Sequence, residues 1–253
     1  MIEARPQTAT DRWTVAGGKV RGTSHEICED CAAWWHSHDG PYAVIAAVAD
    51  GAGSAALAQA GARAAVRQVL QEGARLRRRV PQSATEAEAV VLSMFQAARK
   101  RVEKQARQLI SSSRNLATTL SVVVASGNHI VAGQIGDGIT VLRSRSNGLM
   151  SVSRDRGEYS EFTTFITDNI SLPKVHLLVR PLQDVDAFAL CSDGLRMLIT
   201  TNASTGQPYE PFFADAFELV QQGATTENIT EFLSTVNDRT GDDKSLVIGV
   251  RDI

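Results

Sequence analysis

A chain of 253 residues with 43% hydrophobic and 21% charged side chains is large enough to bury a substantial core and too apolar to be disordered. A formal net charge of −2 and a pI near 6.2 supply no electrostatic footprint for nucleic acid or an anionic membrane surface. No apolar run reaches spanning length, Met1 to Asp11 has no signal-peptide pattern, and an odd three cysteines suit a reducing compartment, so the expectation is one cytoplasmic domain over 1–253, read as a monomer.

Short apolar runs separated by turns predict strands at Trp13–Val20, Ala32–Trp35 and Tyr42–Ala49, the last one buried. From Ser54 to Arg79, Leu57, Gly61, Ala64, Ala65 and Val69 recur at helical spacing. A second helix follows Pro81, opened by Ser83 and Glu86 as a capping box and carried by Val90, Met94 and Val102 to about Ile110. The pattern then turns to period two. Leu120–Ala125, Ile130–Ile135 and Ile139–Leu142, with turns at Gly127-Asn128 and Asn147-Gly148, predict an antiparallel meander. After an irregular stretch over 154–173, strands are expected at Val175–Val179 and Phe188–Cys191. Helices follow at about Phe212–Gln222 and Asn228–Val236, and a last strand at Leu246–Val250. Strand runs interleaved with paired helices argue for α+β, with helices packed on a two-sheet core.

Carboxylates recur where these strands end: Asp30, Asp50 before Gly51, Asp137 between Gly136 and Gly138, Asp193 before Gly194, and Asp242 beside Asp243. Asp-Gly is common turn chemistry when met once. As an ordered set, short rigid carboxylates on separate strand ends suit a hard divalent cation, which takes oxygen ligands and keeps several waters.

The segments Val48–Gly53, Ile135–Gly138, Cys191–Gly194 and Asp242–Leu246 resemble, in order, the signature motifs of the type 2C metal-dependent protein phosphatases. Gly22–His25, Asp50–Ser54 and Thr163–Thr167 are similar to motifs of a divergent bacterial branch of that family. The resemblance implies a four-layer α-β-β-α sandwich of two antiparallel sheets, with two or three Mg²⁺ or Mn²⁺ ions at one end. Asp50 would bridge two ions and the Gly51 carbonyl would help bind one. Asp193 and Asp242 would complete the other, and Asp137 would hold a third with Asp193. Glu29 and Asp30 would match a pair that orients metal-bound water, and Asp243 would stand behind the ligands. The implied activity is hydrolysis of phosphoserine or phosphothreonine in proteins, with metal-activated water as the attacking group. A serine/threonine kinase and a von Willebrand A-type protein are implied as possible partners.

Two positions depart from the family. His25 stands where many relatives carry a phosphate-clamping Arg, and reads either as a phosphate or proton-donating residue or as a turn residue. Ala52 stands where eukaryotic relatives place a His. Three further readings remain open: Cys28, Cys31, His36 and His38 as a zinc site of poor spacing; the stretch 154–173, with Tyr159, Phe162 and Phe165, as a flap or as a plug of the sheet edge; and the chain as a phosphoprotein-binding module without turnover.

Overall fold

The computed structural model describes residues 12–36, 42–76, 80–152, 163–168, 174–202, 206–237 and 240–251. Much of the expected flap, with Tyr159 and Phe162, and the His38 turn lie outside the described residues. Among these residues β1 (Trp13–Val20), β2 (Cys31–His36) and β3 (Tyr42–Ala49) precede the helices α1 (Ala58–Leu76) and α2 (Ala84–Gln108). Then follow β4 (Leu120–Ser126), β5 (His129–Ile135), β6 (Ile139–Ser144), β7 (Gly148–Ser151), β8 (His176–Pro181) and β9 (Val185–Cys191). A short helix α3 (Arg196–Ile199), a hairpin β10 (Thr200–Asn202) and β11 (Gln207–Pro208), the helices α4 (Glu210–Gln221) and α5 (Thr226–Thr235), and β12 (Lys244–Arg251) complete the order.

Two antiparallel five-stranded sheets form, β1-β12-β9-β6-β7 and β2-β3-β4-β5-β8. Strand periodicity explains their stacking, because successive side chains face opposite sides. On β3, Ile45, Ala47 and Ala49 pack toward α1 and α2, whereas Val44, Ala46 and Val48 face the other sheet. On β12, Leu246, Ile248 and Val250 join the core under α4 and α5, while Val247 points between the sheets. Three apolar cores thus separate four layers in the order α-β-β-α.

The helices follow their apolar spacing. Val91, Met94, Phe95, Ala98 and Val102 of α2 are buried at steps of three or four. Ser83 caps α2 by accepting the Glu86 N–H at 3.2 Å, but Glu86 Oε2 reaches one residue further back than expected, to the Gln82 N–H at 2.8 Å. A reciprocal box opens α5 instead, between Thr225 and Asn228, two residues before the expected start.

One expectation is corrected. β4, β5 and β6 are not a meander: β5 pairs with β4 and β8, and β6 pairs with β7 and β9 in the opposite sheet. Gly136, at φ 106°, carries the chain from one sheet to the other, so Asp137 sits on an inter-sheet crossover instead of a hairpin tip.

Antiparallel pairing gathers the carboxylates at one edge. Cys31 opens β2 opposite Ala49, the end of β3, and Cys191 ends β9 opposite both Leu246 of β12 and Ile139 of β6. Asp30, Asp50, Asp137, Asp193, Asp242 and Asp243 each lie within two residues of these strand ends.

Candidate active site

Asp50 is held by its backbone. Its N–H donates to Thr119 Oγ1 at 3.0 Å, and its carbonyl accepts both the Thr119 N–H and the Thr118 hydroxyl at 2.8 Å. Gly51 forms an isolated antiparallel bridge to Thr118. A Cβ there would stand 2.8 Å from Ala58 Cβ and 2.9 Å from the Glu29 carbonyl, so only glycine allows the turn to lie this close to α1 and the 22–30 segment.

The opposite wall is the loop 241–243. Asp243 is buried and its two oxygens are well used: Oδ1 accepts the Gly22 N–H at 2.7 Å and Oδ2 the Glu29 N–H at 2.6 Å. His25 Nδ1 lies 3.0 Å from the same Oδ2, an ion pair off the axis of a linear hydrogen bond. The ring's other nitrogen, Nε2, stands 3.8 Å from Asp242 Oδ1, which also accepts the Asp243 N–H at 2.8 Å. A Cβ on Gly194 would come within 2.0 Å of the Asp243 carbonyl, so the Asp193-Gly194 turn packs directly on this loop.

Between these walls the buried carboxylates repel one another. Burial pushes Asp30 up to about 7, opposed by the nearby Ser245 and Ser192 hydroxyls and reinforced by Asp243. Burial, then repulsion from Asp30 and Asp193, raises Asp50 well above the ordinary carboxylate range. Burial and then Asp137 push Asp193 up to about 6, and burial raises Glu29. His25 is raised too, first by its contact with Asp243. Both Asp30 oxygens, Asp193 Oδ1 and Glu29 Oε2 are buried with no partner in hydrogen-bond geometry. Buried carboxylates so placed must take up protons or share a cation.

An all-oxygen donor set with orphaned buried oxygens fits a hard divalent cation. No three His, Cys, Asp or Glu side chains among the described residues converge on one point in position to hold an ion. Mg²⁺ tolerates that arrangement, because it binds through one or two carboxylates and keeps waters in its remaining positions.

Two neighbours of Asp137 stand outside the candidate set, Thr163 from the Thr163–Thr167 motif and Arg196, which no sequence signal marked. The Thr163 hydroxyl donates to Asp137 Oδ2, and Arg196 Nη1 donates to the Asp137 carbonyl at 2.8 Å. Within the described part of the 154–173 stretch, Phe165 packs on Ala52, Ala55, Ala58 and Ala117, and Ile166 is buried with its N–H on the Thr118 carbonyl. That piece braces the Asp50 turn.

The zinc reading fails on geometry. Cys31 and His36 stand at opposite ends of β2, five extended residues and roughly 16 Å apart. Burial pushes Cys28 up to about 11 and also raises Cys31, which keeps both as thiols.

The protein phosphatase 2C family model matches residues 18–234. Serine/threonine-protein phosphatase 3 of Escherichia coli (strain K12) is 27% identical over 94% of this chain and 98% of its own. Among solved structures, the serine/threonine phosphatase Stp1 from Staphylococcus aureus superposes with a TM-score of 0.68 at 13% identity, covering 98% of this chain and 99% of that one. The catalytic domain of the serine/threonine protein phosphatase PstP, in complex with two manganese ions, does so with a TM-score of 0.60 at 20% identity, over 94% and 97%. The matched span takes in every candidate position except Asp242 and Asp243, and the chain belongs to the protein phosphatase 2C family of metal-dependent serine/threonine phosphatases.

Proposed function

We propose that the acidic edge is a divalent-cation centre at which phosphoserine or phosphothreonine of a protein substrate is hydrolysed directly by water. The observation that carries this reading is the gathering of Asp30, Asp50, Asp193 and Asp242 at one edge from both sheets, where Asp30, Asp193 and Asp242 each raise the Asp50 carboxyl. Asp193 is near enough to raise the Asp50 carboxyl, and the two would hold two ions between them, with the Gly51 carbonyl on one side and Asp242 on the other. Asp137, close enough to Asp193 to raise its pKa, would hold a third. Asp30 and Glu29 would receive water protons through their partnerless oxygens. When bound, Mg²⁺ or Mn²⁺ would lower the pKa of coordinated water toward neutrality and neutralise the phosphoryl oxygens.

His25 would supply what Ala52 cannot. Asp243 fixes one ring nitrogen and favours the protonated ring, leaving Nε2 on the side of Asp242, where it can meet a phosphoryl oxygen or return a proton to the departing serine or threonine oxygen. A single side chain would thus replace both the missing Arg and the missing family His.

The three free cysteines fit a single cytoplasmic domain. Family likeness makes a serine/threonine kinase and a von Willebrand A-type protein candidate partners. The deciding experiment is hydrolysis of a phosphothreonine peptide with Mn²⁺, Mg²⁺ or chelator, comparing the unmodified chain with Asp193→Asn. We expect turnover that requires metal and falls by a factor of 10² or more in the variant, on the scale of removing a group that stabilises the transition state. A folded protein silent with every metal would favour the phosphoprotein-binding module instead.

A further inference from the structure

Beside the Asp193 and Asp242 turns lies a small cavity of about 170 Å³, lined by Gly194, Met197, Leu198, Val236, Asn237 and Thr240. Gly194 follows Asp193 directly, and Thr240 Oγ1 accepts the Asp242 N–H at 3.3 Å. The walls of the cavity are therefore continuous with the loops that carry two of the metal-ligand candidates.

Helix α3 has an unusual exposure pattern for four apolar-rich residues beside a cluster of carboxylates. Its last residue, Ile199, is fully buried, yet Met197 is 55% and Leu198 38% exposed. Val236, at the end of α5, closes the floor and packs against the core under α4 and α5. Asn237 and Thr240 stand exposed at the rim and offer an amide and a hydroxyl. Apolar and polar groups thus share the lining, a mix that can hold an aliphatic side chain and the polar backbone that carries it.

We propose that this cavity is a substrate subsite that takes one aliphatic side chain of the phosphoprotein, two residues from the phosphorylated position. The inference rests on the phosphatase reading above. An extended peptide advances about 3.3 Å per residue and returns side chains to the same face every second residue, roughly 7 Å apart. The cavity lining begins one residue from Asp193, at Gly194, and two residues from Asp242, at Thr240, a span that matches the two-residue step of a peptide whose phosphoresidue lies over Asp193. The volume suits one such group, because a cavity of about 150 Å³ holds a benzene ring. Met197 adapts its shape to the side chain it meets, and the rim amide and hydroxyl bind the peptide backbone. The chemical class is a phosphoserine or phosphothreonine segment with Leu, Ile or Met at that distance, as opposed to one with glycine or a charged residue there.

The test compares kcat/KM of the Mn²⁺-loaded chain on three phosphothreonine peptides: leucine two residues before the phosphothreonine, leucine two residues after it, and glycine at both places. One leucine peptide should be preferred over the glycine peptide by about tenfold or more, the discrimination that an apolar pocket provides. In Leu198→Asp, and independently in Met197→Ala, the ratio should fall to within about twofold of one. Equal rates on all three peptides in the unmodified chain would overturn the proposal, and so would a preference that survives both substitutions. Hydrolysis of an aryl phosphate, which has no peptide to place, reports on the phosphatase reading separately. Should the unmodified chain fail on it with every metal, that reading falls, and the same peptides carrying a fluorophore then decide the subsite by anisotropy, with leucine-over-glycine binding lost in the two variants as the supporting result.

Discussion

The middle of the sandwich and its acidic edge are built by the same strands on opposite terms. Midway along, Val44, Ala46, Phe188, Leu190 and Val247 fill the space between the sheets, and the Trp13 ring meets Phe188 with centroids 5.3 Å apart. A few residues further on, the chain buries Asp30, Asp50 and Asp193 against one another and against further carboxylates. The middle stabilises the fold by removing apolar surface from water, whereas the edge opposes folding until a cation or protons arrive. Stability and chemistry therefore occupy separable places.

The strongest way to break that separation is Phe188→Ala. Truncating a fully buried aromatic between two sheets should cost about 3–5 kcal/mol in urea unfolding. Metal-dependent turnover per folded molecule should survive, the reverse of Asp193→Asn. Parallel loss of both properties would mean that the edge depends on fine packing of the middle.

A smaller effect sharpens the contrast through pH. Asp30 and Asp193 are held at about 7 and about 6 in the folded chain, above their unfolded values near 4, so between these limits the folded chain carries more protons than the unfolded one. That contribution to stability is fully present at low pH and is lost as pH rises through the folded values. In chelator, Tm should drop by roughly 5–10 °C between pH 5 and pH 8, and Mn²⁺ or Mg²⁺ should restore it mainly at pH 8. A chelated profile that is flat, or that rises over this range, would contradict the unpartnered edge.

The least effect belongs to a site on the surface. Ile110, exposed at the end of α2, has φ 52°, a conformation that a β-branched side chain resists. Ile110→Gly should raise stability by about 1 kcal/mol with unchanged turnover, measured by the same urea titration. No gain would show that glycine's larger unfolded-state freedom offsets the relief.

Most strands and four of the five helices were legible because their signals are local: the continuous apolar run of β3, the β-branched run of β4, three-and-four spacing along α2, and the Ser83 cap. The Asp-Gly turns were legible for the same reason, since a carboxylate and a glycine mark a strand end by themselves. The sheet assignment of β6 was not. A glycine turn that returns to its own sheet and one that crosses to another need the same residues, and only the distant pairings β5 with β8 and β6 with β9 decide between them. β7 was missed because its four residues offer just Leu149 and Met150 as apolar signal. The contact of His25 with Asp243 joins positions at opposite ends of the chain, and the Arg196 bond to the Asp137 carbonyl depends on the crossover. Neither leaves a mark in local sequence.

The crossover and the acidic edge together give the bound ion a mechanical meaning. Asp30 and Asp50 belong to the sheet of β2 and β3, Asp193 and Asp242 to that of β9 and β12, and the three cysteines are free. A cation shared by the two sets would be a removable rivet between the layers, doing for this chain what a disulfide does for a secreted one. Its withdrawal would then register first as deuterium uptake or protease nicking in 22–30 and 240–243, and the supply of divalent ions would set how long the sandwich stays shut as well as whether it works.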